Sequence, residues 1–170
     1  MAQGRVDQYR RWFEYEKDSH RKVLASFETV PPDRREYASF QKALELMGHI
    51  VAARRVWLYR FGVAREAPTT FFPTGITLEE LRESLTAMED AWSGYLADLT
   101  DADIARAFEY KSSDAGWFRN VVEDILTQLF GHSWYHRGQI AMLVRAAGGE
   151  PAVTDLIYWC REGVPPSDRR

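Results

Sequence analysis

Hydrophobic positions recur at helical spacing in four long segments of this chain, punctuated by proline and glycine. In the first, about Val6 to Val30, Tyr9, Phe13, His20, Val23, Leu24 and Phe27 share one face, and Pro31-Pro32 ends the run. Proline lacks a backbone donor and disfavours helix in the residue before it. The second segment, about Tyr37 to Phe61, carries Phe40, Leu44, Met47, Val51 and Leu58 along one edge of its stripe. Leu46, Ile50, Ala53 and Trp57 widen the stripe on the other side, and Gly62 closes it. A loop from Ala64 to Gly75 follows, with Pro68 and Pro73. Thr77-Leu78-Glu79-Glu80 then reads as a capping box, and Leu78, Leu81, Leu85, Met88, Trp92, Tyr95 and Leu96 recur to about Leu99. The fourth segment runs from about Asn120 to Ala147. It stops at Gly148-Gly149, because glycine accepts the left-handed conformation that ends helices.

Ala107 to Phe118 breaks the helical period. Phe108-Glu109-Tyr110 alternates and Ser112 to Gly116 is turn chemistry, which predicts a short hairpin. Thr154 to Glu162 fits a short final helix, and 164–170 reads as a frayed, flexible C-terminal tail. Four long amphipathic helices predict an all-α four-helix bundle in a single domain, 1–163. The connection between the second and third helices is the longest and is the candidate for a crossover.

Composition narrows the function classes. The 170 residues suit one domain with its own core, at 45% apolar and 28% charged. A net charge of −3 leaves no broad basic field for nucleic acid or anionic membrane, and Arg10-Arg11 and Arg34-Arg35 are dispersed among acids. One cysteine, Cys160, forbids an internal disulfide. Met1 to Arg11 holds no signal-peptide core, and no apolar run is long enough to span a membrane. The expected location is the cytoplasm.

The chemistry concentrates in the fourth segment. Its stripe reads Val122, Ile125, Leu129, His132, His136, Ile140, Leu143, so two histidines one turn apart interrupt an apolar line. Buried without partners, two imidazoles are costly. A divalent metal between them resolves that cost, and so do separate hydrogen bonds to carbonyls or water. His49, on the flank of the second helix beside Leu46, Ala53 and Trp57, is the candidate third ligand or else a partly exposed surface histidine. Glu45, one turn before it, is a candidate to hydrogen-bond a ligand from behind, or else a solvated acid. His20 fits a satisfied core histidine, a group that supports the ligands from behind, or an extra ligand. The glutamate-x-x-histidine pairs of di-iron bundles are absent, as is His-Glu-x-x-His, since Ser133-Trp134-Tyr135 lies between the two histidines.

The segment Gly131-His132-Ser133-Trp134-Tyr135-His136-Arg137-Gly138-Gln139 resembles the fourth-helix signature of the DinB/YfiT-like superfamily. Met47-Gly48-His49-Ile50-Val51-Ala52-Ala53 with Trp57 resembles its second-helix motif. Gly148-Gly149-Glu150-Pro151 and Asp155-Leu156-Ile157-Tyr158-Trp159 resemble its ending. The resemblance covers nearly the whole chain. It implies a bundle with an unusual crossover, often a homodimer, and a site of three histidines holding nickel or zinc. Carried over, these are His49, His132 and His136. Two departures bear on the substrate: Asp18-Ser19-His20 stands where the family often has an aromatic-alanine-asparagine run. Arg54 stands where an acidic residue is common.

Three histidines leave coordination positions open, the mark of catalytic rather than structural sites. Some relatives are transferases using low-molecular-weight thiols, and others resemble metal-dependent hydrolases or isomerases. The resemblance therefore implies a metal-dependent thiol transferase of stress or detoxification metabolism. The alternatives are a hydrolase and a non-catalytic, dimeric metal-binding stress protein. Arg137 is a candidate for an anionic substrate group or a helix-face salt bridge. Tyr158 is a candidate to close the pocket or a packing tyrosine.

Overall fold

The computed structural model describes residues 4–112 and 116–162. The turn expected at Ser112 to Gly116 falls mainly on residues 113–115, and the expected tail on 164–170; both lie outside the described residues.

The four long helices are α1 (Arg5–Glu28), α2 (Ala38–Arg60), α3 (Leu78–Asp98) and α5 (Val122–Ala146), with short α4 (Asp101–Ala105) and α6 (Leu156–Cys160). Their ends follow the predicted signals. Thr77 caps α3, its Oγ1 accepting from Glu80 N at 3.2 Å while Glu80 Oε2 accepts from Thr77 N at 2.8 Å. Gly148, with φ of 85°, turns the chain out of α5. The hairpin forms as β1 (Ala107–Lys111) and β2 (Trp117–Val121), antiparallel with Ala107 opposite Val121 and Lys111 opposite Trp117. Asn120 belongs to this strand and not to the helix, so α5 begins two residues later than its periodicity suggests.

Each long helix packs against two others: α1 against α3 and α5, and α2 against α3 and α5. Helices α1 and α2 therefore face each other across one diagonal, and α3 and α5 across the other. The long crossover is the connection from α3 to α5, which carries α4 and the hairpin. The α2–α3 connection joins neighbours instead. It folds back over α2, with consequences for His49 described below.

The predicted stripes of α1, α2 and α3 point inward: Phe13, Phe27, Met47, Ile50, Leu81, Met88 and Trp92 are at most 1% exposed. Removing side chains of this size from water is the main force holding the bundle together. Cross-connections fix the ends. Val6 N donates to Asp101 Oδ1 at 2.8 Å, which caps α1 from α4. The Arg10 guanidinium donates to the carbonyls of Leu96, Ala97 and Leu99, which closes α3. Arg10 is thus a structural clamp, not one of a solvated pair. Among the described residues no helix is long and apolar enough to cross a membrane.

Candidate metal centre

On α5, Val122, Ile125, Leu129 and Ile140 of the predicted stripe are buried, but at its centre the buried positions fall one residue later. The buried residues at its centre are Ser133 and Arg137, and His132 and His136 sit beside them, half-buried. Ser133 is accommodated because its Oγ donates to Leu129 O at 3.1 Å. Arg137 is accommodated by an acid from α1, considered below. His49 departs in the opposite direction. It is buried, not a surface residue, because the α2–α3 loop covers it.

That loop is seated by Gly48. A Cβ there would lie 2.7 Å from Cγ of Pro73, so only glycine admits this approach. With the loop in place, His49 Nδ1 lies 2.6 Å from the carbonyl of Phe71. Gly48→Ala is expected to lower stability by about 1–3 kcal/mol through overpacking, despite alanine's better helix propensity. Thermal unfolding of the variant checks this. An unchanged midpoint would mean the loop shifts freely.

The three histidines meet at one point. Nε2 of His132 lies 3.1 Å from Nε2 of His49 and 3.1 Å from Nε2 of His136. One ligating nitrogen from each ring falls within 4.8 Å of the others. The ring protons can be assigned from the partners. A carbonyl only accepts, so His49 carries its proton on Nδ1 and leaves a lone pair on Nε2. His136 Nδ1 lies 2.7 Å from Oε1 of Gln139, which places its proton likewise. His132 can donate one proton to one neighbour at most. At least one lone pair at the centre therefore lacks a donor, an arrangement that a cation satisfies. Two metal–nitrogen bonds of about 2.0–2.1 Å span separations of this order. The outer bonds to Phe71 and Gln139 are of the kind that fixes the tautomer of a ligating imidazole.

Electrostatics favour neutral rings. Burial is the largest influence on His49 and lowers it below the ordinary value, outweighing the Phe71 carbonyl, which raises it. Burial and then the neighbouring His136 and His49 push His132 down to about 4.

The remaining candidates fall elsewhere. His20 is wholly buried and lies outside the trio. Its Nδ1 is 2.7 Å from Glu89 Oε1 and its Nε2 is 3.7 Å from Glu16 Oε2. Glu45 pairs with Lys42 at 3.1 Å, as a solvated acid does. Tyr158 is exposed beside Arg161, so it neither closes a pocket nor packs in the core. Arg137 is 4% exposed and bound to Glu16, a buried ion pair in place of a surface salt bridge. A cavity of about 270 Å³ adjoins Gly48 and Ala52, lined also by Arg55, Glu66 and Ser84, but the histidines do not line it.

Two features at the site escaped the sequence pattern. Gln139 stands three residues after His136, a spacing that puts it within reach on a helix, and its signal was available. The Phe71 carbonyl is backbone and carries no side-chain signal at all.

The DinB family model matches residues 1–162. No curated protein and no solved structure matches the chain. The four long helices among the described residues, the three-histidine cluster and a match over nearly the full length agree, and the chain belongs to the DinB family.

Proposed function

We propose that this protein is a metal-dependent enzyme, with His49, His132 and His136 holding one divalent ion, nickel or zinc. The observation that carries this is the convergence of three imidazole Nε2 atoms with too few protons to satisfy them. Neutral imidazole nitrogens suit both metals. A bound ion supplies Lewis-acid chemistry, acidifying a thiol or a water brought to its open side. The chain's own residues do the positioning. The Phe71 carbonyl and Gln139 orient two of the rings, and His132 and His136 are only half-buried. Three protein ligands, one fewer than a closed structural site has, favour a reactive ion over a structural one. Family membership favours thiol-dependent group transfer, with a low-molecular-weight thiol as co-substrate.

The test is metal content by mass spectrometry on tag-free protein purified without chelator. About one nickel or zinc ion per chain is expected, absent from the His132→Ala and His136→Ala variants. A metal-free parent, with both variants folded and unchanged, would leave three ordinary histidines and no metal chemistry.

A further inference from the structure

Two exposed aromatic rings stand directly on the outer two histidines. The Phe72 ring lies parallel to the His49 imidazole, 4.4 Å between centroids and 7° between planes. The Tyr135 ring meets the His136 imidazole edge-on, at 5.1 Å and 70°. They come from different elements, the α2–α3 loop and α5. Each is 66% exposed, although rings of this size contribute most when buried.

Neither ring is serving the core. Trp134, next to Tyr135 in sequence, turns the other way and packs against Trp12 at 5.7 Å. Neither ring supplies the histidines' polar partners either, since Phe71 O and Gln139 Oε1 fill that role. What the pair shares is position. Each touches one imidazole of the same cluster, and both keep apolar surface in water beside it. Exposed apolar surface grouped around a polar centre marks a place where something binds.

Resting on the metal reading above, we propose that Phe72 and Tyr135 form an aromatic rim that selects ligands with a planar aryl or heteroaryl group next to the donor atoms. A flat ring seated there stacks or meets these side chains edge-on, as they already do with the imidazoles. Each such contact is worth about two- to tenfold in affinity beyond simple burial. A saturated ring of equal bulk buries similar area and lacks that contribution.

The experiment uses the full chain loaded with zinc and two probes of identical donor group, benzohydroxamate and cyclohexanecarbohydroxamate, titrated by calorimetry. Zinc content is measured on every sample. The aryl probe is expected to bind about tenfold more tightly. The ratio is expected to fall toward one in Tyr135→Leu and in Phe72→Leu, which keep apolar bulk and remove the π-face. Acetohydroxamate, which reaches neither ring, is expected to bind parent and Tyr135→Leu alike. Equal affinity of the parent for the two cyclic probes, with zinc bound, overturns the rim and leaves the metal reading standing. So does an aryl preference that survives both variants. A parent that takes up no zinc overturns the metal reading and the rim together.

Discussion

Replacing Glu16 with alanine is expected to destabilise the fold by about 3–5 kcal/mol, measured as a lower midpoint of chemical denaturation. Glu16 is fully buried and binds two arginines that are nearly so. Arg54 Nη2 donates to its Oε2 at 2.6 Å, and Arg137 Nη1 donates to Oε1. Arg54 lies among the rings of Phe13, Trp92 and Phe130, its guanidinium 5.0 to 5.7 Å from their centroids. Arg137 Nη2 donates to the Tyr15 hydroxyl at 2.7 Å. Neither arginine can shed its proton. Removing the acid therefore leaves two positive charges in a low-dielectric core, and the penalty is the loss of compensation more than the loss of a contact.

Acid provides a second measure of the same network. Burial alone would raise the Glu16 carboxyl, but the charges of Arg54 and Arg137, with His20, outweigh it and hold the group at about 2. A depressed carboxylate stabilises the fold above its unfolded value, and that stability is lost as pH falls toward the folded value. The unfolded carboxyl titrates near 4.5. Stability is therefore expected to drop between about pH 4.5 and 2, by on the order of 3 kcal/mol from this group. In Glu16→Gln this component of the acid transition is expected to vanish, with the variant already weakened at neutral pH. A variant as stable as the parent at pH 7 would mean that the arginines find other partners or water.

The network also explains why part of the fold was legible in the sequence and part was not. Apolar spacing placed all four long helices, because burial of one face is what stabilises them. Thr77 with Glu80 and the Gly148 stop are local signals acting through local hydrogen bonds, and both hold in the structure. Which positions α5 buries at its centre depends instead on pairing across the core. Arg137 reads as a surface residue until Glu16, from a different helix, neutralises it, and the same holds for Arg54. Periodicity carries no information on such pairs. The resemblance to a family marked Arg54 as a departure, and the structure supplies its acid partner on α1. The three histidines were legible together only through the resemblance. His49 lies 83 residues from His132, and spacing alone rates it as a surface residue. The loop that buries it is held by a close approach at Gly48, which no hydrophobic pattern reports.

That separation gives the metal its second large expected effect. Zinc added to metal-free protein is expected to raise stability by about 4 kcal/mol at a free concentration of 1,000 times its Kd, or about 10 °C in Tm. The size follows from how differently the two states bind. In the folded chain three imidazoles from α2 and α5 converge, whereas the unfolded chain offers at best the neighbouring pair His132 and His136. His49→Ala leaves only that local pair and is expected to lose most of the thermal shift while the fold survives. The shift also depends on pH, because protons and the ion compete for the same Nε2 lone pairs. With His49 lowered from its ordinary value and His132 held at about 4, protonation costs more in the fold than in the open chain. The zinc-induced shift is therefore expected to persist below the ordinary histidine range and to weaken as pH falls toward about 4. A thermal shift of the same size in His49→Ala, or one undiminished at pH 4, would place the ion somewhere other than these three histidines.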